Sequence, residues 1–151
     1  LTAGTGRTSM TGGEGNDIFI VDSASASVEQ VATIEDFTTD DTITFTGSIG
    51  FMSTAIELDP DSDPNLSSYA DAAIEQINTE YAADGGMAWF QYTSTGTGTT
   101  NTYIVMDAND NSGDTFEVGT DFMVKLSGAI DFSGASFNDD IGSGAEYLQI
   151  G

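Results

Sequence analysis

The chain has no cysteine, no histidine, two prolines and only two cationic side chains, Arg7 and Lys125, among its 151 residues. Each absence closes off a class of chemistry. Without cysteine there is no disulfide, no thiolate nucleophile and no soft-metal site. Without histidine there is no imidazole base, no serine–histidine–aspartate triad and no ordinary zinc or copper centre. With so few cations, nucleic acid and anionic membrane surfaces are excluded as partners, because both are bound through lysine and arginine. No run approaches the ~20 apolar residues of a membrane span, so membrane insertion is not expected. The chain opens on Leu1 and shows no signal peptide, so a fragment or a processed product is expected.

What is present is acid. Twenty-five Asp and Glu give a formal charge of −23. Such an excess repels itself in a compact state, and bound divalent cations relieve that repulsion locally. The ligands on offer are hard oxygens, which suit Ca²⁺ or Mg²⁺. General solubility tuning, or adaptation to salt, is the plainer explanation of the same charge. Hydrophobic residues make up 38%, and nine Phe and five Tyr are spread along the chain, so one folded domain with a modest core is expected.

Residues 3–20 hold two nonapeptides in register, "AGTGRTSMT" and "GGEGNDIFI". Glycine recurs at the second and fourth places and a large apolar residue at the eighth (Met10, then Phe19). A short period of this kind indicates stacked coils, and two copies are too few to stand alone, so the array is expected to continue upstream of Leu1. Gly12, Gly13 and Gly15 allow a tight turn with inward carbonyls. Inward carbonyls plus the carboxylate of Asp17 make half of a Ca²⁺ shell, and a neighbouring coil supplies the rest. The plain alternative is a glycine-rich hairpin in which Asp17 makes a turn hydrogen bond. In the first copy Ala3 replaces the leading glycine and Thr8 stands where the aspartate belongs, which argues against a site there. A coil of two nonapeptides places the partner of Asp17 near residue 35. Asp36 or its neighbours are therefore expected to complete the site, with Asp40 and Asp41 in or near the shell.

Downstream, Ile34 and Phe37, then Ile43 and Phe45, read as core positions of short strands, and a strand is predicted around residues 54–58. The spacing of Leu66, Tyr69, Ala73, Ile77 and Tyr81 predicts a helix over about 64–83, capped by Asp63 with Pro64 in its first turn and packed on a sheet. "MAWFQY" and "TYIVMD" read as buried strands joined by a hairpin, "DFMVKLSG" as a further strand. In "DANDNSGDTFE", Asp107, Asn109 and Asn111 alternate like the first ligands of an EF-hand loop. The fit then fails, with Gly113 one place late and Val118 where the bidentate Glu belongs. A strand-connecting turn in which Asp107, Asn109, Asp110 and Asp114 gather a Ca²⁺ remains open beside a plain solvated turn. Paired carboxylates can hydrolyse glycosides, but nothing marks one pair among the 25 acids, and no enzymatic activity is expected. The sequon Asn65-Leu66-Ser67 is too short to weigh.

The motifs "GGEGNDIFIVD", "ATIEDFTTDDTITF" and "MAWFQY…NTYIVMDANDNSGDTFEVGTDFMVKLSGAIDFS" resemble the C-terminal region of repeats-in-toxin exoproteins, which Gram-negative bacteria export by type I secretion. The last block looks especially like the ends of calcium-binding surface-layer proteins and adhesins of that kind. The ending "EYLQIG" is similar to the family's C-terminal export signal. The resemblance implies a mainly β fold: a short parallel β-roll over residues 1–49, continuing into a β-rich cap over 50–151 with one packed α-helix. The two parts form one continuous domain. It implies Ca²⁺ as the cofactor, the type I apparatus as partner of the C-terminal region, and a secreted, extracellular or cell-surface location. Self-association, or a cell-surface polysaccharide, is the other contact considered. Two functions follow: a calcium-dependent folding cap and secretion module, or a self-assembling structural subunit of a surface layer or filament.

Overall fold

The computed structural model of the protein describes residues 1–4, 6–81, 85–108, 115–140 and 145–150. It is mainly β with one long helix, as the sequence predicts. In chain order the strands are β1 (Ser9–Met10), β2 (Ile18–Val21), β3 (Ala32–Ile34), β4 (Thr42–Phe45) and β5 (Gly50–Phe51). Helix α1 (Leu66–Tyr81) follows, then β6 (Gly86–Thr93), β7 (Thr100–Met106), β8 (Phe122–Leu126), β9 (Ala135–Asp140) and β10 (Ala145–Ile150).

Successive strands of the N-terminal part alternate between two sheets. β1 and β3 lie in a six-stranded sheet of order β1-β3-β8-β7-β6-β5, and β2 and β4 in a four-stranded sheet of order β2-β4-β10-β9. β1 runs parallel to β3, and β2 parallel to β4, so the chain winds in coils that cross from one sheet to the other and back. Thr2 makes an isolated parallel bridge to Ile20, which extends the winding by one step on the β2 side. β6 and β7 form the expected antiparallel hairpin, and β8 joins β7 antiparallel and β3 parallel. Through β8 and β10, the C-terminal half is built onto the edges of the coils.

Two apolar layers result. Between the sheets lie Met10, Phe19, Ile34, Ile43, Phe45, Trp89, Val124, Phe132 and Leu148. Phe132, fully buried, stacks on Phe37 at 5.7 Å and meets Trp89 at 5.9 Å, tying the last loop to the coils. The second layer lies under α1, where Ala70, Ala73, Ile74 and Ile77 cover Ala88, Phe90, Val105 and Met123 on the outer face of the six-stranded sheet. Both faces of β6 and β7 are thus covered at their inner ends, which is why those segments read as continuous apolar runs.

Two local expectations are corrected. Residues 54–58 form no strand: the segment runs along β6 with Ile56 N–H donating to the Trp89 carbonyl at 2.8 Å, while the short strand forms earlier, at β5. Helix α1 begins at Leu66 and is capped by Asn65, whose Oδ1 accepts the Ser68 N–H at 2.9 Å. Asp63 instead ends a single 3-10 turn, Pro60–Ser62, with a left-handed φ of 50°. It cannot be in that conformation and cap the next helix, whose cap residue is normally extended.

Candidate metal centre

The turn between β1 and β2, residues 11–17, stacks on the turn between β3 and β4, residues 35–41. Both are seven residues long, and the strands that flank them pair at a fixed offset of 24 residues. Gly12 and Gly13 donate their N–H groups to the two carboxylate oxygens of Asp36 at 2.9 and 2.8 Å. Asp17 donates its N–H to Oδ1 of Asp41 at 2.9 Å, again 24 residues on. The other oxygen of Asp41 accepts from the N–H and hydroxyl of Thr38, at 2.7 and 3.1 Å, and the residue is only 3% exposed. The Asp17 carbonyl accepts the Thr42 N–H at 2.9 Å, so residue 17 is clipped to the next coil from both sides.

The glycines meet specific demands. Gly13 and Gly15 adopt φ of +95° and +115°, which a side chain makes costly. At Gly12 the constraint is space: a Cβ there would lie 2.5 Å from Oδ2 of Asp17. The Asp17 carboxylate therefore rests directly over the glycine backbone, against the turn that also holds Asp36. Gly12 and Gly13 together hold Asp36 below the usual carboxylate range through their N–H groups.

The coil that carries this arrangement is longer than two nonapeptides. Thr2 and Ile20 pair at the expected 18-residue offset, but Gly12 meets Asp36 at 24, because residues 22–31 form a longer return loop after β2. The counterpart of Asp17 one coil on is thus Asp41, and Asp36 stands opposite Gly12. Asp40 lies between them in the same turn and is exposed. The signal for this register is in the chain: "GNDIFIV" and "TDDTITF" both put an aspartate directly before an alternating strand.

The second constellation is only partly described: Asn109, Asp110 and Asp114 lie outside the described residues. Asp107, at the end of β7, is 2% exposed, and its backbone is held by Gly85 N–H donating to its carbonyl at 2.7 Å. Near it lies Asp121, which no sequence motif singles out. Asp121 is 1% exposed and accepts the N–H groups of Ala108 (3.1 Å) and Glu117 (2.7 Å). Burial pushes its carboxyl up to about 6 against the pull of those two hydrogen bonds, and the Asp107 and Glu117 carboxylates add to the rise. Asp121 lies 14 positions beyond Asp107 and belongs to no motif, so only the β7–β8 pairing reveals that they meet.

A Ca²⁺ shell needs six to eight oxygens. Among the described residues no three acidic side chains converge closely enough to hold an ion by themselves. At the stacked turns Asp17 lies in a cradle that a Cβ at Gly12 would fill, and Asp36 and Asp41 come from the next coil, each carboxylate accepting backbone N–H groups. No protein-family model matches the chain, and no curated protein is significantly similar to it.

Proposed function

We propose that the chain is a calcium-dependent folding cap and type I secretion module, the C-terminal part of an exported repeats-in-toxin protein. The observation that carries this reading is the pair of stacked turns, in which the Gly12-Gly13-x-Gly15-x-Asp17 motif meets Asp36 and Asp41 from the following parallel coil. That is the arrangement expected where a short β-roll ends against a cap. Asp17, Asp36 and Asp41 would hold the ion, with Asp107 and Asp121 as a second acidic pair at the far loop.

The ion supplies positive charge to a molecule that carries −23. Where free Ca²⁺ is scarce, acidic repulsion keeps the chain unfolded and able to thread an export channel. Outside the cell, at affinities of ~10⁻⁴–10⁻³ M usual for extracellular modules, Ca²⁺ fills the sites. Because the ion binds the folded state, a concentration about 100 times the dissociation constant contributes about 2.7 kcal/mol to folding.

The test is circular dichroism with light scattering during a Ca²⁺ titration, with Mg²⁺ as control. Folding near millimolar Ca²⁺, little response to Mg²⁺ and constant scattering are expected, and Asp17→Asn should raise the Ca²⁺ midpoint severalfold. A folded monomer in chelator, indifferent to Ca²⁺, would defeat the calcium reading. A second reading rests on β9, which stands at the edge of the four-stranded sheet and, among the described residues, pairs with β10 alone. Scattering that grows in step with folding would favour a self-assembling surface subunit built through such an edge.

A further inference from the structure

Helix α1 covers only part of the outer face of the six-stranded sheet. The strand register carries one row of residues across five strands: Ser9, Thr33, Lys125, Tyr103 and Phe90. Phe90 lies under the helix, stacked on Tyr69 at 5.2 Å and on Tyr103 at 5.3 Å. From Tyr103 outward to Ser9 the row forms the floor of an open groove of about 850 Å³, a volume within the range of small-ligand sites.

Both cations of the chain line this groove, Lys125 from its floor and Arg7 from the loop before β1. In a molecule with 25 acids, both cationic side chains stand in one concavity, where they balance Glu29 and Glu35 and leave a formally neutral lining within an otherwise negative surface. Arg7 donates its Nε–H to the Glu29 carbonyl at 3.4 Å. The first residues of α1 open onto the same groove, and the first turn carries no acid, so the positive end of the helix dipole adds to the two cations. Two acids also lie here, Glu29 and Glu35. Glu35 is bridged to Ser127 Oγ at 2.6 Å and Ser9 Oγ at 2.9 Å, and these bonds, Ser127 first, hold its carboxyl below the usual range. The rest of the lining includes hydroxyls, an amide at Asn101 and the ring of Tyr92.

We propose that this groove binds an acidic saccharide, a sugar chain with widely spaced carboxylates. One carboxylate sits between Arg7 and Lys125, and sugar hydroxyls meet Thr33, Asn101 and neighbouring side chains, with Tyr92 against a ring face. The alternative of a densely acidic peptide is disfavoured, because its further charges would meet Glu29, Glu35 and the negative field of the whole molecule. The proposal stands apart from the calcium reading, since Arg7, Lys125 and α1 lie outside the two stacked aspartate turns.

The test uses the ¹⁵N-labelled full chain, titrated in Ca²⁺ and separately in chelator. The probes are a hyaluronan tetrasaccharide, with one carboxylate per disaccharide, and chitotetraose, which has none. Saturable amide shifts at Thr33, Asn101 and Lys125 are expected with the acidic sugar. Chitotetraose should bind on the order of tenfold more weakly, and R7Q/K125Q should lose affinity for the acidic sugar by a similar factor. Both substitutions are conservative surface changes, and the shift map of the unaltered chain decides the location even if the double variant is poorly folded. If the chain folds only with Ca²⁺, the Ca²⁺ titration alone decides. No saturable shift up to about 10 mM tetrasaccharide, equal binding of the neutral sugar, or shifts away from the groove would overturn the proposal. So would stronger binding of a hexaglutamate peptide, which would reassign the groove to an acidic protein segment.

Discussion

At Gly12 the requirement for glycine is one of contact, and it can be separated from the requirement at a glycine that is merely in a left-handed turn. A Cβ at residue 12 would meet Oδ2 of Asp17 at 2.5 Å and its Cγ at 2.7 Å. Either the carboxylate or the turn must move, and overpacking of this kind costs about 1–3 kcal/mol. Gly12→Ala should therefore destabilise the chain in urea at fixed Ca²⁺ and also raise the Ca²⁺ midpoint. Gly98, in the β6–β7 loop, has φ of +67°, and a methyl group there would meet nothing within 4 Å. Gly98→Ala should cost about 1–2 kcal/mol through its backbone alone and leave the Ca²⁺ midpoint where it was. Equal midpoint shifts in the two variants would show that Gly12 serves the turn and not the site. Asp17 is legible in the sequence because the nonapeptide fixes its place relative to three glycines. Asp121 is not, because nothing near it in sequence marks it, and its partner Asp107 reaches it only through strand pairing.

Among the elements, the helix shows how a correct period can accompany a wrong boundary. The three- and four-residue steps from Leu66 to Tyr81 identify α1, but the start signals read there, Asp63 as cap and Pro64 in the first turn, place its beginning too early. Because Asp63 closes the preceding 3-10 turn, the role falls to Asn65, which accepts from both the N–H and hydroxyl of Ser68 at 2.9 and 3.2 Å. Asn65→Ala should lower stability by about 1 kcal/mol, read as a shift in urea midpoint with unchanged slope; no shift would show that the Asn65 cap contributes nothing to stability. The coils show a complementary limit. Met10, Phe19, Ile34, Ile43 and Phe45 are legible as core positions from alternation and period. The length of the second coil is not, since the return loop over residues 22–31 is small and polar and carries no repeat signal. β9 is hidden in the sequence for a related reason: "ASFNDD" has only one large apolar residue, and its pairing with β10 supplies what its own pattern does not.

For the whole molecule, pH should act in two opposed directions. Asp36 and Glu35 are held below the ordinary carboxylate range, by the N–H groups of Gly12 and Gly13 and by the hydroxyls of Ser127 and Ser9. Their stabilisation is present above about pH 4 and is lost as pH falls through their lowered values. Asp121 behaves in the reverse sense. Burial raises it to about 6, so the folded state binds its proton more tightly, and stability should rise as pH falls from about 6 towards 4. Protonation in that interval also begins to relieve the repulsion of a −23 chain. In chelator, acidification to about pH 5 should therefore partly replace Ca²⁺ as a folding agent, and structure should be lost again below about pH 3.5. Trp89, 4% exposed with its indole N–H on the Ser53 carbonyl at 3.1 Å, gives a fluorescence signal for both transitions. Salt separates the two causes of the acid gain. At about 1 M NaCl the screening length falls to about 3 Å, which removes most surface repulsion but little of the buried interaction at Asp121. A gain between about pH 6 and 5 that survives in high salt belongs to Asp121 and its neighbours Asp107 and Glu117. One that vanishes belongs to the summed surface charge, and a stability that is flat from about pH 8 to 4.5 would remove both accounts.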